Sequence, residues 1–229
     1  MSTVVSIHQP DFVPWIGYFK KIAMSDIHVI LDDVQFNRRG WQHRDLIKGP
    51  YGVRWYTVPV KKGSRDNLLI KDVRLDLSTR NIRKLTGVLK SFYSRAPNFE
   101  WLFPQVEEIY ACGYSYLIDL NLAFIDLGMR YLGIQSEMIF SSELGLSSKA
   151  SDRILEIVQV VSGDEYLAGE GSRSYLEEQK FLEEGVRIQW QESECEPYPQ
   201  LFGTFCERLS MLDFIFMGAK YEFYFSQNR

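Results

Sequence analysis

The 229-residue sequence has few of the features that mark secreted, membrane-spanning or zinc-binding proteins. Its three cysteines have no CxxC spacing, so neither a disulfide framework nor a zinc site is indicated. Uncharged runs reach only about ten residues, whereas a membrane span needs roughly 18. The N-terminus lacks the basic start, apolar stretch and cleavage site of a signal peptide, so we expect a cytoplasmic protein without a membrane span.

A positive net charge is also missing. With 26 Lys and Arg against 30 Asp and Glu, the formal charge is −4, which argues against nucleic acid as a general ligand. The charge is uneven, however, because basic side chains crowd the segment from Arg38 to Arg65 and acidic ones the segment from Glu177 to Glu196. The composition therefore still allows a local anion site in the early segment.

The composition that is present describes a globular chain with many aromatic side chains. The 45% of hydrophobic residues can bury a sizeable core, and no repeat or long linker divides the chain, so we expect one domain over residues 1–229. The 15 Phe, 13 Tyr and 5 Trp exceed what a core of this size usually needs. Part of this excess is expected to contact a ligand.

Alternating strand and helix patterns predict an α/β fold. Val4–Ile7, a helix from Trp15 to Met24 and Ile27–Leu31 form a β-α-β unit, which implies adjacent parallel strands. Further strands are predicted near Met138–Phe140, Glu165–Leu167 and Val186–Trp190, and further helices over 79–93, 97–111, 114–132, 149–161 and 175–182. The whole pattern predicts a mainly parallel Rossmann-like sheet with helices on both faces.

A small β-hairpin insertion is predicted in the first half of the chain. Val53–Val60 and Leu68–Leu77 are expected to pair as antiparallel strands around the polar loop at 61–67. We therefore interpret residues 41–76 as an insertion or subdomain within the single domain.

Polar residues follow several of the predicted strands, where ligands bind in open parallel sheets. His8 and Gln9 follow the first strand, Asp32 and Gln35 the second, and the loop starting at Gly169 a later one. His8 could equally well serve only to hydrogen-bond a turn. Asp32 and its neighbour Asp33 point to opposite faces of a strand, so a metal pair is weakly supported and no metal site is predicted.

Arginine and tryptophan alternate in the segment from Gln35 to Arg44. A guanidinium group pairs bidentately with phosphate, and an indole ring beside it can stack on a base or sugar face. Arg38, Arg39, Trp41 and Arg44 therefore suit a sugar attached to a nucleoside diphosphate. A solvated basic loop is the alternative interpretation.

Several segments together resemble the WbqC-like family. They are HQPDFVPWIGYFKKI at 8–22, LDDVQFNRRGWQHR at 31–44, YTVPV at 56–60, YLAGEGSRSYL at 166–176 and YPQLFGTFCERLSMLDFIFMG at 198–218. They span nearly the full length in the family's order. One segment departs from the pattern W-x-N-R-N, because His43 and Asp45 replace its two amides.

The resemblance implies a role in the biosynthesis of O-antigen or other bacterial surface polysaccharides such as lipopolysaccharide. Our leading hypothesis is acyl or aminoacyl transfer to the amine of a nucleotide-linked amino sugar. His8 would act as general base, Asp32 would orient it or stabilise its charged form, and Lys21 with backbone amides near Gly17 would stabilise the oxyanion. The donor is not identified, no cofactor is certain, and the use of ATP stays open, since the only argument for it is a loose likeness to pantothenate-synthetase-like enzymes. In those enzymes an H-x-G-H motif occupies the place of residues 15–18, which read Trp-Ile-Gly-Tyr in this chain and so lack both histidines of the motif.

The substrate-binding residues implied with this hypothesis come from three parts of the chain. They are Gln9, Trp15, Gly17, Tyr18, Gln35, Arg39, Trp41, Arg44, Gly169, Arg173 and Tyr175.

Two other functions remain open. One is a non-catalytic accessory protein that binds a sugar nucleotide or a partner enzyme. The other is a glycosyltransferase in which Asp32 or Asp33 would hold a divalent ion. The aromatic tail from Tyr221 to Phe225 is a candidate homodimer contact.

Overall fold

The computed structural model describes residues 2–61, 68–192 and 195–220. Its centre is a five-stranded, entirely parallel sheet, which confirms the predicted Rossmann-like α/β class. The strands are β1 (Val4–His8), β2 (Ile27–Ile30), β5 (Glu137–Phe140), β6 (Glu165–Ala168) and β7 (Arg187–Trp190). They lie in the order β5-β2-β1-β6-β7.

The strand order reverses at the centre of the sheet. From β1 the chain passes to β2 and then β5 on one side, and it returns to β6 and β7 on the other. The connections that leave β1 and β6 therefore diverge, and this leaves a crevice above their carboxyl ends. His8 ends β1 and Ala168 ends β6, so the residues just after these positions border the crevice.

Helices cover both faces of the sheet, as predicted. The helices of the described residues are α1 (Ile16–Ala23), α2 (Thr79–Tyr93), α3 (Phe99–Ala111), α4 (Leu117–Leu132), α5 (Ala150–Val160), α6 (Glu178–Glu183) and α7 (Met211–Phe216). Ser78 caps α2 by accepting a hydrogen bond from the Asn81 amide, as the sequence suggests. None of the helices in the described ranges combines the length and apolar character needed to cross a bilayer.

The two faces of the sheet differ in polarity. Val5, Ile7 and Val29 pack with α5 and α6 in one apolar cluster. The face toward α1 carries Ser6 and His28, which share a 2.7 Å hydrogen bond, and His28 Nε2 lies 3.4 Å from the Tyr18 hydroxyl. Buried polar groups need such partners, and this layer fixes the position of α1 over the sheet.

The predicted hairpin is wrong in its pairing. The antiparallel strands are β3 (Arg44–Gly49) and β4 (Gly52–Thr57), so only the second of them overlaps a predicted strand. Residues 68–77 contain a 3₁₀ turn at Ile70–Asp72 and single bridges instead. Residues 62–67 of the predicted polar loop at 61–67 lie outside the described residues.

Charged residues inside β3 explain this error. Asp45 and Lys48 are buried although their sequence context suggests a surface loop. The Lys48 ammonium group donates to Gln200 Oε1 at 3.0 Å and to the Thr204 carbonyl at 2.5 Å. These partners lie about 150 residues away along the chain. Their hydrogen bonds to Lys48 hold the C-terminal segment before α7 against the hairpin.

Gly128 is a position at which the core tolerates no added methyl group. A Cβ atom there would lie 2.3 Å from the ring of the buried Phe19. We expect Gly128→Ala to lower the free energy of unfolding by about 1–3 kcal/mol through overpacking. Gly87→Ala is the matched control because Gly87 lies in the exposed middle of α2 with open space around it, and it should stabilise by roughly 0.5–1 kcal/mol. Urea denaturation measures both, and equal effects would contradict this account of the core.

Candidate functional site

A cavity of about 360 Å³ lies at the crevice where the strand order reverses, and we call it the strand-end cavity. Its lining comes from the loops after β1, β6 and β7, from α1, from the hairpin and from the C-terminal segment. The residues are His8, Asp11, Trp15, Gly17, Tyr18, Trp41, Asp45, Gly169, Glu170, Gly171, Gln191 and Arg208. Six of the predicted site residues lie here, namely His8, Trp15, Gly17, Tyr18, Trp41 and Gly169.

A second cavity, of about 600 Å³, lies beside the first, and we call it the basic cavity. It is lined by Gln9, Gln35, Phe36, Asn37, Arg38, Arg39, Gln42, Val60, Lys61, Leu68 and Val73. Gln9, Gln35 and Arg39 were predicted from the sequence, whereas Lys61 was not. Three cationic side chains and four side-chain amides give this cavity the groups that bind phosphate and hydroxyl oxygens.

The two cavities share a wall. His8 and Trp41 line the strand-end cavity, whereas their chain neighbours Gln9 and Gln42 line the basic cavity. The Gln42 amide donates a hydrogen bond to Gln9 Oε1. From α4, the buried Asn121 Nδ2 donates to the carbonyl oxygens of Pro10 and Gln42, both at 2.7 Å. The loop after β1 and the loop before β3 are thereby held together.

His8 has the geometry of a base. Its Nδ1 lies 3.0 Å from the Gln9 carbonyl oxygen, which can only accept, so Nδ1 carries the proton and Nε2 of the neutral ring is free of one. The side chain is still 39% exposed. Burial of the ring and the positive charge of Lys21 lower the pKa of His8, so the imidazole is neutral at pH 7.

Two buried carboxyl groups of the strand-end cavity were not predicted as site residues. Asp11 Oδ2 lies 3.7 Å from His8 Nδ1, and burial raises the pKa of Asp11 to about 7. Burial raises the pKa of Asp45 well above its usual value, and the charge of Asp11 adds to this, while the Leu46 amide opposes it. The only sequence signal for Asp45 is its departure from the W-x-N-R-N pattern, where an amide is usual.

Lys21 lies beneath the cavity instead of lining it. Its ammonium group is buried and donates to the Ile7 carbonyl at 2.9 Å, and burial lowers its pKa to about 8. The charge of Lys21 acts on His8 and His28. A direct contact between Lys21 and an oxyanion therefore stays a prediction.

Asp32 is held by serine side chains at the end of β2. Ser142 donates to it from its hydroxyl group at 2.7 Å and from its amide at 3.0 Å, and Ser141 from its hydroxyl group at 3.1 Å. Asp33 pairs with Arg153 at 2.5 Å. Neither carboxylate lines the strand-end cavity, so the structure does not bring Asp32 to His8 as the sequence suggests.

Trp15 and Gly17 form one wall of the strand-end cavity. A Cβ atom at position 17 would lie 2.1 Å from the Trp15 ring, so glycine is needed for the indole to lie across the first turn of α1. Gln191, which follows β7, donates to the Gly17 carbonyl at 2.8 Å. Tyr18 packs edge-on against the His8 ring with 5.0 Å between ring centroids. These contacts restrict how the His8 ring can turn.

Three predicted binding residues line neither cavity. The Arg44 guanidinium lies 4.1 Å from the centroid of the Trp55 ring and donates to the Arg39 carbonyl at 2.6 Å. Arg173 lies over the ring of Trp190, at 4.3 Å. A hydrogen bond of 2.9 Å joins the hydroxyl groups of Tyr175 and Ser172. Their predicted contacts with substrate stay untested.

The raised pKa of Asp11 leads to a prediction about pH and stability. The folded protein keeps this proton up to about pH 7, whereas the unfolded chain releases it near 3.8, so the buried carboxyl costs folding free energy as the pH rises. Asp11→Asn removes this cost, which is about 1.4 kcal/mol for each pH unit that separates the folded and unfolded pKa values. The stability of Asp11→Asn relative to wild type should therefore grow between about pH 4 and pH 7 and then level off.

Chemical denaturation at several pH values measures this difference. Asp119→Asn is the control, because Asp119 lies exposed on α4. A difference between Asp11→Asn and wild type that stays constant across this range would contradict the assignment.

Comparison with known proteins places these features in a family. The model of the WbqC-like protein family matches residues 9–223. Over 223 residues the chain is 33% identical to "Uncharacterized protein Rv1507c" of Mycobacterium tuberculosis, an alignment that covers 94% of each chain. No solved structure matches the chain. Since the matched region covers nearly the whole chain, this protein belongs to the WbqC-like protein family.

Proposed function

We propose that this protein transfers an acyl or aminoacyl group to the amine of a nucleotide-linked amino sugar in surface-polysaccharide biosynthesis. The observation that carries the proposal is the pairing of two adjoining cavities that are lined by different polar groups. One contains an unprotonated imidazole nitrogen and two buried carboxyl groups, and the other contains three cationic side chains. A sugar nucleotide with a free amine has the matching two ends.

The carboxyl groups suit the amine end of the substrate. Asp11 and Asp45 are both buried and both line the strand-end cavity. An ammonium group entering the cavity supplies the positive charge and the hydrogen-bond donors that two buried carboxyls need. With a pKa of about 7, Asp11 can also take up one proton from the ammonium group and leave a neutral amine.

His8 then acts as the general base of amide formation. The amine nitrogen attacks the carbonyl carbon of the donor, and a new C–N bond forms. The second N–H proton moves to His8 Nε2, the bond to the leaving group breaks, and the leaving group departs with the electron pair. Burial and the charge of Lys21 lower the affinity of the ring for this proton, so His8 can return it to the leaving group.

The phosphate end of the substrate suits the basic cavity. Arg38, Arg39 and Lys61 can neutralise a diphosphate, and the amides of Gln9 and Gln42 can bind the hydroxyl groups of the attached sugar. Arg44 is left out of this clamp because its guanidinium group is engaged with Trp55 and with the main chain. The acyl donor, including any role for ATP, is not assigned.

The accessory-protein alternative uses the same cavities for binding alone, without a chemical step. The unprotonated Nε2 of His8 favours the enzyme.

The glycosyltransferase alternative depends on Asp32 or Asp33 as a metal ligand. Those carboxylates already accept hydrogen bonds from Ser141 and Ser142 and pair with Arg153, respectively, so it receives no support from their contacts.

His8→Gln tests the chemical step. We expect the rate of amide formation to fall by about 10²- to 10⁴-fold because the general base is lost, while the affinity for the amino sugar nucleotide changes little. Mass spectrometry of the sugar nucleotide after incubation with a panel of acyl and aminoacyl donors measures the product.

Turnover by His8→Gln within a few-fold of wild type would contradict the role of His8. Binding of the sugar nucleotide by wild type without turnover of any donor would favour the accessory protein instead.

Arg38→Ala/Arg39→Ala tests the phosphate end. Loss of two guanidinium groups should weaken sugar-nucleotide binding by at least about tenfold and reduce its dependence on salt. A thermal-shift titration measures the affinity. Arg80→Ala/Arg83→Ala removes the same charge from the exposed surface of α2 and should leave binding unchanged. Equal effects of the two double variants would contradict the assignment of the basic cavity.

A further inference from the structure

Two large indole rings lie side by side on the surface next to the strand-end cavity. The side chains of Trp41 and Trp55 are 44% and 40% exposed, respectively. Their ring centroids lie 5.1 Å apart with the planes inclined by 51°. We call this pair the tryptophan platform. Aromatic rings of this size usually bury most of their surface, so the platform needs an explanation beyond core packing.

Contacts with Arg44 and with the main chain hold the platform in place. The guanidinium group of Arg44 lies 4.1 Å from the Trp55 ring centroid. Its NH groups donate to the carbonyl oxygens of Arg39 at 2.6 Å and Gly40 at 3.3 Å. The main-chain amide of Phe12 also donates to the Trp41 carbonyl at 3.0 Å. A ligand that stacks here therefore meets a surface that is already ordered, and this lowers the entropic cost of binding.

The position of Trp41 in the chain indicates which part of a ligand would meet it. Arg38 and Arg39 line the basic cavity, Trp41 lines the strand-end cavity, and Asp45 lines the carboxyl side of that same cavity. Along this segment the groups thus run from guanidinium, through indole, to carboxyl. An amino sugar nucleotide has the complementary order of diphosphate, sugar ring and amine.

We infer that the tryptophan platform binds the sugar ring of the substrate through stacking on Trp41, supported by Trp55. The inference rests on the proposed function and assigns the part of the ligand that the function leaves open. The apolar C–H face of a pyranose ring packs on an indole ring, and its hydroxyl groups stay free to reach the amides of Gln9 and Gln42. The nucleobase lies beyond the basic cavity and does not contact the platform.

Calorimetric titration with matched ligands tests the inference. The ligands are UDP and dTDP, and their glucose and glucosamine conjugates. The variants are Trp41→Leu, Trp41→Tyr and Trp55→Leu, with Trp101→Leu as the control. Trp101 is also 44% exposed, but it lies on α3 against Tyr131, away from both cavities. Thermal unfolding of each variant establishes that it is folded.

We expect Trp41→Leu and Trp55→Leu to weaken binding of the sugar conjugates by about tenfold and to leave the free nucleoside diphosphates within about twofold. Trp41→Tyr, which keeps an aromatic face, should restore most of the loss, and Trp101→Leu should change nothing. An equal loss for the free nucleoside diphosphates would assign the platform to the base and overturn the inference. Unchanged affinity for the conjugates, or no binding of any conjugate to wild type, would overturn it as well.

These measurements contain no acyl donor, so they are independent of the chemical step. If the conjugates bind as expected but no amide forms with any donor, the proposed function fails and the sugar platform stands. If amide formation proceeds in Trp41→Leu with an unchanged KM, the platform fails and the proposed function stands.

Discussion

The candidate site depends on one buried amide. Asn121, fully buried on α4, donates through Nδ2 to the carbonyl oxygens of Pro10 and Gln42. These two carbonyls belong to the loop that carries His8 and Asp11 and to the loop that carries Arg39 and Trp41. Without a donor, both carbonyls would be buried and unpaired, at a cost of about 1–3 kcal/mol each. The wall between the two cavities thus depends on the side-chain NH₂ group of Asn121, which donates one hydrogen bond to each loop.

The same region concentrates buried charge. The ammonium group of Lys21 donates to the Ile7 carbonyl, and the carboxyls of Asp11 and Asp45 line the strand-end cavity. Burial moves the pKa values of these groups toward their neutral forms, to about 8 for Lys21 and about 7 for Asp11. A fold gains no stability from such an arrangement, and perturbed acids and bases gathered in a cleft are typical of functional sites. An ammonium group on the substrate, in this view, completes the charge pairing of the two carboxyls.

Prediction from the sequence succeeded where local pattern decides structure. Val4–Ile7 and Ile27–Leu31 are β-branched runs that can hardly form anything but buried strands, and Ser78 is a recognisable helix cap. The same strand patterns correctly predicted that His8, Gln9 and Gly169 lie at strand ends. Prediction failed for β3, since the groups that accept hydrogen bonds from the Lys48 ammonium are remote in the chain, and for α7, whose six residues carry too little periodicity. The role of Arg44 stays a prediction: its charge suggests phosphate binding, whereas in the structure its guanidinium group contacts Trp55 and two main-chain carbonyls.

Asp11 and Asp45 show what sequence reasoning could not reach at all. An aspartate after a proline ordinarily caps a turn, and one inside a charged segment is ordinarily solvated. Both become cavity residues only because the reversal of strand order between β1 and β6 opens a crevice, and because the hairpin packs its β3 strand against that opening. The acidic end of the site is therefore a property of the topology. Its basic end, from Arg38 to Lys61, is local in the sequence. The proposed amino sugar nucleotide would have to place its amine and its diphosphate at a separation set by the Gln9–Gln42 wall, and this is a stricter requirement than either cavity imposes alone.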